Sequence, residues 1–134
     1  YDILDQDGQH SSFFSSCVQA ADYIEIQGFS KEQINIGFPF YGTWEGGRME
    51  QYAYNAISEE ISPFNNFYTM KKSDTKEDRY TYFNSQAIIR DKTAYAYLKG
   101  YGGVMIFSQY CDLPSDDERS LTKAISDYLQ EVTK

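Results

Sequence analysis

Residues 102–107 read GGVMIF, an apolar run that two glycines introduce. A short, nearly continuous apolar run bounded by glycine is typical of a strand that is covered on both faces. Strands of this kind belong mostly to parallel sheets, in which helices lie over the faces. The sequence therefore predicts a buried parallel strand over residues 102–107.

Helical patterns flank this strand. Asn84 or Ser85 can cap the helix before it, and Gly100 stops that helix. Gly28 follows an earlier stretch in which apolar residues recur at helical spacing. At the end of the chain, acidic residues precede a last helix, where the helix dipole favours negative charge. The predicted helices cover residues 12–27, about 84–99, and from about 114–118 through 129.

A second strand is predicted at residues 34–38, which read INIGF and are closed by Pro39 and Gly42. The stretch 49–82 is the least regular part of the sequence. There we expect a short helix near residues 51–61 and a solvated loop at the charged run 71–78.

Strands and helices alternate without a repeat or a flexible linker, which predicts an α/β fold. Two complete strands and a stub at residues 1–4 are too few for a stable sheet, because they leave unpaired edges and an uncovered face. We therefore expect another segment, or a second copy of the chain, to complete the sheet.

The composition disfavours several classes of partner. The net charge is −8 and the basic residues are scattered, so no footprint for nucleic acid is present. The sequence has no run of about 18 apolar residues for a membrane span. Tyrosine is abundant, with 13 residues, which suits a wet cleft for a flat polar ligand but also half-exposed packing.

The cysteines give no metal site. Cys17 and Cys111 are far apart, and His10 is the single histidine that could complement them. We expect no cofactor. A disulfide between the cysteines and two separate buried thiols are both compatible with the sequence, and we favour the thiols.

Four stretches together resemble the last third of the glycoside hydrolase family 18 barrel of the chitinase type. They are Tyr1-Asp2, residues 36–42 (IGFPFYG), residues 90–95 (RDKTAY) and residues 102–106 (GGVMI). Their order and spacing match those of the sixth to eighth strands in the family. The resemblance implies a partial (β/α)8 barrel, with residues 1–134 as the C-terminal fragment of one catalytic domain and an insertion at about 45–82.

The family cleaves β-1,4-linked N-acetylglucosamine with retention, and the acetamido group of the substrate takes the place of the nucleophile. By the resemblance, Tyr1 would hydrogen-bond that acetamide and Asp2 would bind the distorted sugar, unless both are only a frayed terminus. Phe107 stands where the family usually has a tryptophan that floors the sugar subsite. A core role for Phe107 is the alternative, since it ends an apolar strand.

Three neighbouring residues complete the predicted binding surface. Tyr41 would line the cleft, and Trp44 would stack a sugar at its rim or pack under the insertion. Thr43 replaces an arginine that contacts the next sugar in many chitinases, which implies a different set of subsites. The short insertion implies a shallow groove and an endo-acting, non-processive parent enzyme.

The resemblance also limits what this chain can do alone. The family motif Asp-x-x-Asp-x-Asp-x-Glu, which supplies the general acid from the fourth strand, is absent. We expect Asp5, Asp7 and Asp112 to solvate loops or cap helices. The chain is therefore predicted to be inactive, and its parent to be a secreted hydrolase. The alternatives are a non-catalytic chitinase-like lectin and an unrelated α/β binding module that folds alone.

Overall fold

The computed structural model describes residues 14–44, 47–71 and 78–134. The helices in this part of the chain are α1 (Phe14–Ile26), α2 (Tyr54–Ile57), α3 (Gln86–Lys99) and α4 (Leu121–Val132). The strands are β1 (Asn35–Pro39), β2 (Tyr41–Trp44), β3 (Gly47–Ala53), β4 (Phe67–Lys71), β5 (Asp78–Tyr82) and β6 (Gly103–Phe107). Short 3-10 helices lie at Lys31–Gln33 and Gln109–Cys111.

Strands β1 and β6 form a parallel pair, in which Asn35 lies opposite Gly103 and Pro39 opposite Phe107. Helix α3 precedes β6 and packs against both strands, as the crossover helix of a parallel unit does. The predicted α/β class and the parallel pairing of the two glycine-containing segments are therefore confirmed.

The hydrophobic core lies between this parallel pair and the helices. Alternate residues of each strand point to the same face of the sheet, so every second side chain enters the core. The strand residues that pack there are Ile36, Phe38, Val104 and Ile106. The helices contribute Ala21, Ile89, Ala96, Leu121 and Ile125.

The ends of α3 follow the sequence signals. The side chain of Ser85 accepts a hydrogen bond from the backbone N–H of Ile88, and Gly100 ends the helix with φ of 74°, in the left-handed region. Gly102 then enters β6 close to the backbone of the 3-10 helix before β1. A Cβ atom at Gly102 would overlap the carbonyl oxygen of Glu32, so this position requires glycine.

The prediction of a helix near residues 51–61 was wrong for most of its length. Residues between β1 and α3 form a four-stranded antiparallel sheet in the order β3-β2-β5-β4. The predicted helix at 51–61 shrinks to α2, and residues 51–53 belong to β3. The charged run 71–78 begins and ends in paired strand residues, since Lys71 lies opposite Asp78. Residues 72–77 of that run lie outside the described part.

The reason for this error lies in the composition of the strands. β4 and β5 read FYTMK and DRYTY, and tyrosine and threonine stand where the strand pattern would need clearly apolar residues. These residues have a good strand propensity, but charged neighbours hide the alternation. The sheet is held by cross-strand pairs that the linear sequence does not display.

β6 is less covered than predicted. Val104 and Ile106 pack on the core, but Met105 and Phe107 on the opposite face are exposed. Within the described residues, β6 pairs only with β1 and helices cover only one face of the pair. The apolar run predicted a strand that is covered on both faces. In the described part of the chain, helices cover one face of β6 only.

The two cysteines are free thiols, as we favoured over a disulfide. Both are half-buried rather than fully buried. Burial raises the pKa of the Cys17 thiol.

Candidate functional site

The candidate site lies on the face of the parallel pair that the helices leave open. Because side chains alternate along a strand, this face carries Gly37 and Pro39 of β1 and Met105 and Phe107 of β6. Met105 and Phe107 are exposed, whereas Pro39 is fully buried. Phe107 is the last residue of β6 and is 51% exposed. In parallel α/β sheets, the carboxyl ends of the strands are where ligands bind. The face therefore places an accessible aromatic ring at the binding end of the sheet.

Tyr41 packs against Phe107 within the protein. The two rings meet edge to face, with centroids 6.4 Å apart and planes at 89°. Tyr41 is only 2% exposed, so it contacts Phe107 from a buried position. The backbone N–H of Phe40 also donates to the carbonyl oxygen of Phe107 over 2.8 Å. These contacts hold the end of β6 and one edge of the Phe107 environment, and the Phe107 side chain stays half-exposed.

The other predicted site residues are not all within the described part of the chain. Tyr1 and Asp2 lie outside it. The backbone of Trp44 lies in β2, opposite Gly47 and Thr81, but its side chain is outside the description. The structure therefore brings Tyr41 and Phe107 together and leaves the roles of Tyr1, Asp2 and Trp44 as predictions.

Thr43 lies in β2 on the same face of that strand as Tyr41. It is 6% exposed, and its Oγ1 has no hydrogen-bond partner. A buried hydroxyl without a partner is uncommon, because its desolvation is uncompensated. Thr43 thus presents a short side chain at the position where the family resemblance implied a long cationic one.

Sequence reasoning missed a contact between the insertion and the segment after β6. The side-chain Nδ2 of Asn55 donates to the carbonyl oxygens of Tyr110 at 2.9 Å and Asp112 at 3.2 Å. The hydroxyl of Tyr54 donates to the carbonyl oxygen of Arg119 at 2.8 Å. Burial, with the nearby Asp112 charge, raises the pKa of Tyr54 to about 12, so this hydroxyl keeps its proton.

Asp112 is the centre of this segment. Its carboxylate accepts from the backbone N–H groups of Leu113, Leu121 and Thr122, each at 2.8 Å. It also accepts from the hydroxyl of Ser120 at 2.9 Å. Asp112 therefore caps α4 from a distance in sequence, which confirms the helix-cap interpretation. The acidic residues 116–118 precede that helix, as the sequence predicted, and the helix begins at Leu121.

Lys92 is a buried cation in α3. Its Nζ lies 2.5 Å from Oδ1 of Asn84, and the side chain is almost inaccessible. Burial lowers its pKa to about 8, because an ammonium loses its hydration there. Lys92 lies in α3, beside Asn84 and near Cys17 of α1, so we expect this buried cation to affect the stability of the scaffold.

We expect the pH dependence of unfolding to reveal Lys92. Because its pKa is lower in the folded chain than in the unfolded chain, the unfolded state binds more protons between pH 8 and about 10.4. The free energy of unfolding should therefore rise through this window, by about 2 kcal/mol relative to Lys92→Met. Urea titrations of both proteins at pH 7 and pH 10 measure it. Equal pH dependence in the two proteins would contradict the assignment.

Two further features were sought in the described residues: a metal site and a membrane-spanning helix. Those residues contain no group of three or more His, Cys, Asp or Glu side chains that could hold a metal ion. None of the described helices combines the length and the apolar character that a membrane span requires.

The sequence model described as "Glycosyl hydrolases family 18" matches residues 1–112. This match covers most of the chain and includes all four stretches that carried the resemblance. The chain belongs to glycosyl hydrolase family 18. No curated protein matches the chain.

Solved structures of family 18 members share the fold. A family 18 chitinase from Flavobacterium johnsoniae matches with a TM-score of 0.69 and 23% identity, over 96% of this chain and 38% of its own. A chitinase from Bacteroides thetaiotaomicron gives a TM-score of 0.72 at 23% identity, over 97% of this chain and 42% of its own. The chain therefore spans about two fifths of these relatives, which is consistent with the predicted C-terminal part of the family barrel.

A third similar structure has a different function. Human YKL-39 is described as a pseudo-chitinase with retained chitooligosaccharide binding, and it matches with a TM-score of 0.66 and 17% identity. The alignment covers 95% of this chain and 43% of YKL-39. A protein that shares this fold is therefore described as a pseudo-chitinase that still binds chitooligosaccharides.

Proposed function

We propose that this chain is the C-terminal part of a family 18 barrel that cleaves β-1,4-linked N-acetylglucosamine in its parent protein. The observation that carries the proposal is the half-exposed ring of Phe107 at the carboxyl end of β6, braced by buried Tyr41. A half-exposed apolar ring that contacts a buried aromatic neighbour suits stacking against a pyranose. The face contributes sugar binding, and the general acid belongs to the upstream fourth strand.

The proposed mechanism is retaining and substrate-assisted, in which the acetamido oxygen of the substrate attacks its own anomeric carbon. Tyr1 hydrogen-bonds that acetamide and Asp2 binds the distorted sugar. Phe107 forms the floor of the subsite and Trp44 its wall, while buried Tyr41 acts through its contact with Phe107 and does not line the cleft as the resemblance implied. None of these side chains replaces the general acid, so the chain alone is inactive. We also infer an endo-acting, non-processive enzyme, because the insertion is short.

The barrel is completed by the remainder of the parent protein or by a second copy of the chain. Within the described residues, β6 has β1 as its one strand neighbour, and Met105 and Phe107 are exposed beside it. An open parallel edge with an apolar face is a surface that other strands cover in this fold class. Residues 1–134 then form part of one catalytic domain, whose insertion at about 45–82 supplies β3, β4 and β5 of the antiparallel sheet. Following the family, we place the parent outside the cell.

The test compares the chain with its longer parent on an N-acetylglucosamine hexamer. The parent should release short oligomers whose first anomer, followed by NMR, is β. The chain alone should release none. Cleavage by the chain alone, or first release of the α anomer by the parent, would contradict the proposal.

A second candidate function is glycan binding without cleavage, which the pseudo-chitinase relative favours. The same experiment separates the two, because such a parent binds the hexamer and leaves it intact. The residue at the last position of the fourth-strand motif, glutamate or not, gives the same answer from the upstream sequence.

A further inference from the structure

The short helix α2 of the insertion is fixed to the protein core. Its residues Tyr54 and Ile57 are 2% and 5% exposed and belong to the core cluster. The backbone N–H of Tyr54 donates to the carbonyl oxygen of Phe40 at 3.1 Å, and the N–H of Phe40 donates to the carbonyl oxygen of Phe107 at 2.8 Å. Helix α2 therefore reaches the last residue of β6 through a single intervening residue.

The side chain of Asn55 gives α2 a second connection to the same end of β6. Its Nδ2 atom donates to the carbonyl oxygens of Tyr110 at 2.9 Å and Asp112 at 3.2 Å. An amide nitrogen carries two hydrogens, so both donors of this side chain are used. The two acceptors are the third and fifth residues after Phe107. Asn55 therefore holds the chain just after the ring that the proposed function assigns to sugar binding.

The five residues after Phe107 form one hydrogen-bonded turn, the 108–112 turn. The backbone N–H groups of its last two residues donate to the carbonyl oxygens of its first two, at 2.9 and 3.1 Å. Because the turn is closed in this way, the hydrogen bonds from Asn55 hold all of it rather than two separate residues. They thereby set the direction in which the chain leaves Phe107.

Phe107 needs this support because β6 ends there. Within the described strands, β1 is the one neighbour of β6, and Pro39 opposite Phe107 is the last pair of the register. The position of the final residue of the strand therefore depends on the turn that follows it. A side chain that contacts a ligand must be held closely in place by its neighbours, because a loosely supported contact loses affinity.

We propose that Asn55 is a positioning residue, which sets the place of the Phe107 ring by holding the 108–112 turn. Asn55 touches no sugar in this assignment and acts through Phe107 alone. The assignment rests on the proposed function, in which Phe107 forms the floor of the subsite. The insertion thereby contributes to the affinity of the cleft through a single amide group.

A double-mutant cycle tests this assignment by isothermal titration of the whole chain with an N-acetylglucosamine hexamer. Asn55→Ala should weaken binding about fivefold, because the turn loses two hydrogen bonds. In the Phe107→Ala background the same substitution should weaken binding by less than about twofold, since the ring that Asn55 positions is gone. If Asn55 only stabilised the fold, it would change binding by the same factor in both backgrounds.

Two further substitutions separate the amide donor from the shape of the side chain. Asn55→Asp keeps the shape but turns a carboxylate toward the two carbonyl oxygens, so we expect it to weaken binding at least as much as alanine does. Asn65→Ala changes another exposed asparagine of the insertion and is the matched control, with unchanged binding. Circular dichroism at the temperature of the titration shows whether each variant is folded.

The outcomes separate this assignment from the proposed function. If Phe107→Ala weakens binding while Asn55→Ala or Asn55→Asp binds as the unaltered chain does, Asn55 is not a positioning residue and the proposed function stands. An equal loss in both backgrounds, or a failure of both Asn55 variants to fold, also overturns the assignment. If the unaltered chain does not bind the hexamer, or if Phe107→Ala binds it equally well, both proposals fail.

Discussion

Replacing Phe107 by alanine is expected to weaken binding of N-acetylglucosamine oligomers roughly thirtyfold. The half-exposed ring offers roughly 100 Å² of apolar surface that a pyranose can cover. Covering that area is worth about 2 kcal/mol, which corresponds to the expected change in Kd. Isothermal titration with a dimer and a hexamer measures it.

Phe107→Trp gives the matched comparison. The indole has a larger face and an N–H donor, so we expect tighter binding than with phenylalanine. Neither substitution should lower the free energy of unfolding by more than about 1 kcal/mol, because Phe107 is half outside the core. Unchanged oligomer binding by Phe107→Ala, with the fold intact, would show that the open face does not hold the sugar.

Replacing Asp112 by alanine should lower the free energy of unfolding by about 4 kcal/mol. The substitution leaves the backbone N–H groups of Leu121 and Thr122 and the hydroxyl of Ser120 without their acceptor. Buried donors that lose a charged partner cost more than an ordinary hydrogen bond, and the first turn of α4 keeps only the Ser120 side chain as its cap. Urea denaturation followed by circular dichroism measures the loss.

Two further variants test whether the loss of stability in Asp112→Ala comes from the carboxylate. Asp112→Asn keeps one oxygen acceptor and the shape, so about half of the loss is expected. Asp116→Ala changes an exposed carboxylate in the same segment and should alter stability by less than about 0.5 kcal/mol. If Asp112→Ala and Asp116→Ala were equally stable, the carboxylate would not be the cap that holds α4.

The elements around the parallel pair could be predicted because their signals are local. Ser85 caps α3 and Gly100 ends it through hydrogen bonds and backbone angles that involve neighbouring residues only. Gly102 is required because its backbone approaches the carbonyl group of Glu32 too closely for a Cβ atom. Helix caps and glycine conformations of this kind can be predicted from a single sequence, because they depend on residues that are close in the chain.

The insertion could not be predicted for the opposite reason. β2 pairs with β5 across nearly 40 residues of chain, and no local pattern states which strand finds which partner. The tie from Asn55 to the segment after β6 is equally remote, since its acceptors lie 55 and 57 residues away. An isolated asparagine after a strand gives no signal for such a contact.

The sequence by itself determined the α/β class, the parallel relation of the segments at Gly37 and Gly102, and the family, because glycine spacing and apolar runs record local backbone constraints. Only the tertiary structure decided that Phe107 is half-exposed and that Tyr41 braces it from a buried position. It alone revealed that Asn55 holds the turn after Phe107 through two carbonyl oxygens. Exposure and contacts of this kind depend on which distant surfaces meet, and packing fixes that only when the whole chain has folded.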